Sequence, residues 1–381
     1  MDVEIKKQPK TSITEDIDCV IKLEPLTIFA GNNNSGKTHL INAIGKKLSE
    51  NDINVVHIPS ERILVENELK TGAEKDPLRA ALGDLIEFAF DADSSISSDV
   101  SDISVILPAE FIQYGIENID ISVKTNTLTN DEYKKALKDA HIKKLIDSIV
   151  ISDKYCGVED ISPSNVGQGT QRMIVVSLIR YLQRKKFEKD GRTSKPTYII
   201  FEEPEIYLHP KMKATLYALI QAIANDGRLN TKVILTTHDP YFIDMGRNAK
   251  IYRVFRDPLK NFSTQLMDVQ KDVLLYPSSA EINYIVFEQV SPTYLLELYE
   301  SKKQETELKL GKKLGGLKYY EFDLALFNKI GEPQSSTDDD GHPVTFITRI
   351  RHDMAHPSTS ILDSFESRGK EAIEKLRNYK A

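Results

Sequence analysis

The stretch Val20-Ile21-Lys22-Leu23-Glu24-Pro25-Leu26-Thr27-Ile28-Phe29-Ala30-Gly31-Asn32-Asn33-Asn34-Ser35-Gly36-Lys37-Thr38-His39-Leu40 decides how the first half of the chain is read. Residues 20–30 are apolar and rich in β-branched side chains, with Pro25 as a break, and predict a buried strand. From Thr38 to Leu48 the apolar residues recur at helical spacing. Between the two, Gly31, Asn32, Asn33, Asn34, Ser35, Gly36, Lys37 and Thr38 fit the pattern G-x-x-x-x-G-K-[ST]. Glycines at these positions let backbone N–H groups wrap a β-phosphate, and the helix N-terminus adds its dipole. Lys37 is expected to bridge β- and γ-phosphates, and the Thr38 hydroxyl to hold Mg²⁺.

Working outward, Val55, Val56 and Ile58 predict a second short strand before Pro59. Residues 62–162 then change character and read as an insertion. Helical stretches at 78–90 and 131–149 alternate there with Ser/Asp-rich loops such as 91–102, and a short strand is expected at 119–123. The core resumes with a helix at about 169–186, a strand at 198–201, a helix at 211–224 and a strand at 233–236. Strands alternating with helices predict an α/β head with a mostly parallel sheet. Beyond it the pattern is helical, at 280–289, 294–308, 319–330, 344–355 and 364–379. The Gly311–Gly316 run and a Gln334–Pro343 loop separate these helices. The expected division is a head over 1–272 and an all-α domain over 273–381.

Two more segments bear on phosphate chemistry. Tyr198-Ile199-Ile200-Phe201-Glu202-Glu203 is an apolar strand ending in two carboxylates, which successive positions on a strand direct to opposite faces. Glu202 is expected to face Mg²⁺ through water, and Glu203 to orient an attacking water. His238, after the next strand, is expected to hydrogen-bond the γ-phosphate and report its loss. Ser164-Asn165-Val166-Gly167-Gln168-Gly169-Thr170-Gln171-Arg172 opens a helix and offers a second anion site through Gly167, Gly169 and Gln171. The chain already has one phosphate loop, so this second site suits a nucleotide held by another subunit. A glycine-rich N-cap is the plainer reading of the same residues.

In this order the segments resemble ABC-type ATPases. Glu202-Glu203-Pro204-Glu205 with Leu208-His209-Pro210, the Thr237-His238-Asp239-Pro240 turn and Ile58-Pro59-Ser60-Glu61-Arg62 resemble the soluble RecF/OLD-like branch. The resemblance spans roughly 15–270 and implies ATP and Mg²⁺ as cofactors. It also implies a homodimer or higher homo-oligomer, with ATP sandwiched between the phosphate loop of one head and the 164–172 segment of the next. Two departures stand out: Glu202 occupies a position where transporters usually have Asp, and Gly167 one where Ser often contacts the γ-phosphate. Ser164 fills that role in a different register.

Near the C-terminus, Ile350-Arg351-His352-Asp353-Met354-Ala355-His356-Pro357 ends an apolar helix. Arg351 and His356, five residues apart, do not share a face of an ideal helix, and Pro357 disfavours helix at His356. The segment resembles the R-x4–6-H motif of HEPN ribonucleases, which occur behind ABC ATPases in bacterial anticodon nucleases. That resemblance implies metal-independent RNA cleavage with His356 as general acid or base and Arg351 on the scissile phosphate. RNA, tRNA among its candidates, is then the substrate, and the setting is defence against phage. A salt-bridging Arg351 with a capping His356 is the structural reading. A third reading is a bundle that only binds RNA or an effector protein, and zinc on His352 and His356 has no third ligand of suitable spacing.

Charge narrows the partners. Lys plus Arg number 50 against 57 Asp plus Glu, a net charge of −7, so duplex tracking through a basic surface is not expected. Lys302, Lys303, Lys309, Lys312, Lys313 and Lys318 form one local basic stretch, read as an RNA contact or a solvated face. Asp338-Asp339-Asp340-Gly341 reads as a turn rather than a metal loop. Cys19 and Cys156 lack metal-ligand spacing, Met1–Lys10 has no apolar core of signal-peptide length, and no window is apolar enough to span a membrane. A cytoplasmic protein is expected.

Overall fold

The computed structural model describes residues 2–5, 19–51, 53–60, 119–123, 149–153, 157–161, 167–174, 176–177, 180, 196–227, 230–245, 249–260, 263–269, 278–331, 334–337, 341–355 and 361–380, with 109 and 112. The helix expected at 78–90 and the loop at 91–102 lie outside them, as does the helix expected at 131–149 except for Ile149, which opens a strand. The chain divides into two units, Met1–Met267 and Asp268–Ala381.

In the first unit, β1 (Asp2–Ile5) and β2 (Cys19–Lys22) form an antiparallel hairpin. Next come β3 (Leu26–Ala30), α1 (Lys37–Glu50) and β4 (Asn54–Ile58). Within the expected insertion, β5 (Ile119–Val123), β6 (Ile149–Asp153) and β7 (Val158–Ile161) make a small antiparallel sheet. A helical stretch at 168–174 precedes β8 (Thr197–Glu202), α2 (Pro210–Asn225), β9 (Thr231–Thr237), α3 (Pro240–Met245), β10 (Lys250–Asp257) and β11 (Ser263–Asp268).

Six of these strands form one sheet in the order β11-β10-β3-β9-β8-β4, and every pairing from β10 to β4 is parallel. Each residue of β3 and β8 is buried, as strands covered on both faces must be. On one face Leu40, Ile41, Ile44 and Leu48 of α1 pack with Phe29, Tyr198, Ile200 and Ile234. Pro210 occupies the first turn of α2, and the His209 Nδ1 accepts the Lys211 N–H at 3.3 Å, so Leu208-His209-Pro210 is a helix start.

The second unit contains α4 (Ser279–Phe287), α5 (Pro292–Lys309), α6 (Tyr319–Ile330), β12 (Gln334–Thr337), β13 (Pro343–Thr345), α7 (Phe346–Ala355) and α8 (Ile361–Asn378). Its core gathers Leu298, Tyr299, Phe322, Leu326, Ile347, Ile350, Ile373 and Tyr379. The segment expected as a loop is an antiparallel hairpin, with Thr337 opposite Pro343, so the described unit is not purely helical. Thr337, Val344 and Thr345 favour strand, and Gly341 takes positive φ, 83°, just before the second arm.

Buried polar groups organise this unit. Asp323, fully buried, accepts the N–H of Thr345 and the hydroxyls of Thr345 and Thr348, which ties α6 to the start of α7. Glu307, also fully buried, accepts the Lys303 ammonium and the amides of Gly315 and Leu317, each at 2.9 Å. The basic stretch is therefore not one solvated face: Lys303 is internal, and Lys302 is buried beside Glu305. Among the described residues no helix is long and apolar enough to cross a membrane.

Candidate active site

Parallel strands deliver their carboxyl ends to one edge, where ligands of open α/β sheets bind. Here β3, β9 and β8 lie side by side, so the phosphate loop, His238 and the Glu202-Glu203 pair emerge together. The Gly31 N–H donates to the Thr237 carbonyl at 3.2 Å, and Ser35 N–H to the Asn32 carbonyl at 3.2 Å. Asn34 and Gly36 take positive φ, 62° and 98°. A Cβ at Gly31 would stand 2.1 Å from the Val254 carbonyl oxygen, and one at Gly36 2.2 Å from the Thr264 hydroxyl. Both glycines are thus required by space.

Lys37, 5% exposed, is turned onto this loop. Its ammonium donates to the carbonyls of Gly31 (3.0 Å) and Asn32 (3.1 Å) and pairs with Glu203 Oε1 at 3.2 Å. Thr38 is exposed beside it. Glu202 ends β8 and is buried, and its carboxylate meets His57 Nε2 at 2.6 Å. Glu203 has left the strand, at φ 40. Its N–H donates to the carbonyl and hydroxyl of Thr236 at 3.0 and 3.1 Å, and its carbonyl accepts Arg172 Nη1 at 2.8 Å. The turn sends the two carboxylates apart: Glu202 toward β4, Glu203 toward Lys37 and His238. His238 Nδ1 lies 3.4 Å from Glu203 Oε1.

A second layer holds these groups. Glu205 Oε1 accepts the Thr237 hydroxyl at 2.6 Å and the His238 N–H at 3.0 Å. Burial pushes the Glu205 carboxyl up, opposed by those two donors. Arg172, 4% exposed, also donates Nη2 to the Ser60 carbonyl, joining the 168–174 helix to the residues after β4. Asp239 pairs with Lys213 and accepts the Tyr241 N–H, which shapes the turn after His238. The sequence reading assigned no role to His57, Arg172 or Glu205. Their signal lay only in adjacency to quoted motifs.

In the expected second anion site, Gly167 is exposed, and its carbonyl accepts the Gln171 N–H at 3.1 Å. Gly169 and Gln171 are buried instead, and a Cβ at Gly169 would lie 2.7 Å from Leu208 Cδ2. Glycine at 169 therefore lets this helix pack on the start of α2. Ser164 lies outside the described residues. Arg351 belongs to α7, while His356 lies outside the described residues. Among the described residues no cluster of three or more His, Cys, Asp or Glu could hold a metal by itself.

The AAA ATPase domain family matches residues 92–243, a stretch that includes Glu202, Glu203 and His238. Three curated proteins share part of the chain. The Old nuclease of Escherichia phage P2 is 30% identical over 133 residues, 35% of this chain and 22% of that protein. The OLD nuclease of Thermus scotoductus is 34% identical over 92 residues, 24% of this chain and 16% of that protein. Endonuclease GajA of Bacillus cereus is 28% identical over 122 residues, 29% of this chain and 17% of that protein. The chain thus matches less than a quarter of the length of each. Among solved structures, an SMC head bound to the C-terminal winged-helix domain of ScpA aligns with TM-score 0.40 and 12% identity, over 71% of this chain and 97% of that one. The ATP-binding subunit of an ABC transporter aligns with TM-score 0.35 and 14% identity, over 64% and 81%. The family match and the curated relatives support an ABC-like ATPase domain of the OLD/RecF branch in this chain.

Proposed function

We propose that this chain binds and hydrolyses ATP in an ABC-type head and uses that cycle to gate a HEPN-like, RNA-cleaving C-terminal domain in defence against phage. The observation that carries the ATPase part is the convergence of Lys37, Glu203 and His238 at the carboxyl edge of a parallel sheet. The site suits the nucleotide: two glycines leave no room for side chains, and a buried lysine on the loop faces the Glu203 carboxylate. ATP supplies the phosphoanhydride bond that is cut. Lys37 would leave its carbonyl partners for the β- and γ-phosphates, Thr38 would hold Mg²⁺, and Glu202 would reach that ion through water on leaving His57. Glu203, freed from Lys37, orients and deprotonates the attacking water, and His238 contacts the γ-phosphate. Gly167, exposed at the start of its helix, is the position best suited to a second subunit's nucleotide, which supports a head-to-tail homodimer.

The RNA-cleaving part rests on Arg351 and His356. Asp323 anchors the start of α7, the helix to which Arg351 belongs, through Thr345 and Thr348. Incubating the protein with total tRNA, with and without ATP and Mg²⁺, beside His356→Ala tests this. Cleavage by wild type alone, leaving 2′,3′-cyclic phosphate ends, supports the reading; intact RNA in every condition sinks it. The β12–β13 hairpin, foreign to a purely helical bundle, favours one second reading, in which this unit scaffolds a separate nuclease or repair partner. There, Arg351→Ala and His356→Ala would leave function intact.

A further inference from the structure

Strand β10 outruns its neighbour. The pairing with β3 ends at Arg253 opposite Ala30, yet β10 continues to Asp257. The phosphate loop leaves β3 at that level and lies along the overhang, with β11 next in the sheet. Three contacts seat it there. Gly31 abuts the Val254 carbonyl, and Gly36 abuts Thr264, a 2% exposed residue of β11. The third is polar: Arg256 Nε donates to the Asn34 carbonyl at 2.8 Å. Asn34 sits at φ 62, in the left-handed region that Asn enters more readily than most residues with side chains, and its carbonyl is the one that Arg256 holds. The next N–H, on Ser35, closes the loop onto the Asn32 carbonyl, which also accepts Lys37.

We propose that Arg256 is a positioning residue for nucleotide binding: it fixes the Asn34–Ser35 peptide and so keeps the loop in the shape that receives a β-phosphate. The proposal rests on the ATP-binding reading and adds to it a residue from the far side of the head's sequence. The Arg256–Asn34 bond is solvent-exposed, so water competes for it, but an ionised donor still makes it stronger than a neutral one and ties down the Asn34 carbonyl. The effect acts on the loop itself, so it is blind to the γ-phosphate and to the base.

The test uses the full-length chain and fluorescence titration with mant-ATP, mant-ADP and mant-GTP. Arg256→Ala should weaken all three by about tenfold, leaving the ATP:ADP and ATP:GTP preferences of wild type unchanged. Turnover at saturating ATP should stay within about threefold, a loss in KM rather than kcat. Arg256→Lys should recover part of the affinity, and added guanidinium should tighten binding by Arg256→Ala but not by wild type. A loss confined to mant-ATP would make Arg256 a γ-phosphate ligand, and a changed base preference would make it a base contact; either overturns the proposal. Unchanged affinity in Arg256→Ala overturns it as well. Wild-type protein that binds none of the three would instead overturn the ATP-binding reading.

Discussion

Lys37 Nζ and Glu203 Oε1 stand 3.2 Å apart, so the cation of the phosphate loop and the acid beyond β8 neutralise each other. On the proposed ATPase reading each must release the other before it acts on a nucleotide, so a phosphate that drew Lys37 away would also free the carboxylate proposed to activate water.

Replacing Glu203 by Gln keeps an oxygen for Lys37 but removes the base. Phosphate release should fall by about 10²–10⁴-fold, while ATP remains bound. Light scattering should show the ATP-bound dimer persisting in this variant. Wild-type phosphate release would remove Glu203 from the mechanism.

Lys37→Ala acts earlier. It removes the buried cation that now satisfies the Gly31 and Asn32 carbonyls and would meet the phosphates. ATP affinity by equilibrium dialysis should weaken at least about tenfold. Tight binding in this variant would argue against a phosphate-binding loop.

Arg172→Met strands two part-buried carbonyls, those of Glu203 and Ser60. A fully buried unsatisfied group costs about 1–3 kcal/mol and a part-buried one less, so urea unfolding of the head should show a loss of about 1–3 kcal/mol for the two together. Hydrolysis should suffer more than ATP binding, because Glu203 loses one of the bonds that hold it at φ 40. An unchanged unfolding midpoint would mean that water replaces the guanidinium at no cost.

The Lys303 ammonium, with the Leu317 and Gly315 amides, holds the Glu307 carboxyl down at about 2. A Glu in an unfolded chain titrates near about 4.3. A depressed carboxyl stabilises the fold above the unfolded value, and that stability is lost as pH falls through the folded one. Circular dichroism should show helical signal becoming progressively easier to lose from about pH 5 toward about pH 2. Glu307→Gln should flatten that part of the curve. An identical acid profile in the variant would refute the linkage.

Arg351→Ala and His356→Ala should each cut RNA cleavage by at least about 100-fold without changing ATP hydrolysis. Gel analysis of tRNA beside a phosphate-release assay separates the two activities. Loss of ATP hydrolysis in both variants would point to a structural role for this segment.

The local reach of each motif explains what could be read without the fold. Leu26 to Leu48 encodes strand, loop and helix because each rests on contacts within a few residues: apolar runs, glycine at positive φ, and a lysine folding back on its own loop. Leu208-His209-Pro210 is likewise a self-contained helix start, and the C-terminal helices follow from apolar spacing alone. The expected 334–343 loop shows the limit, since two arms of four and three residues become strands only by pairing with each other. Tertiary structure alone decided who meets whom at the site. His57 reaches Glu202 because β4 lies beside β8 in a fixed parallel register, with His57 opposite Ile200. Arg172 reaches Glu203 and Arg256 reaches Asn34 across gaps of 31 and 222 residues. Gly169 and Lys303 read as phosphate-facing or solvated, yet both are buried. Periodicity says that a residue has an inside and an outside, while strand order and packing decide which neighbour lies within.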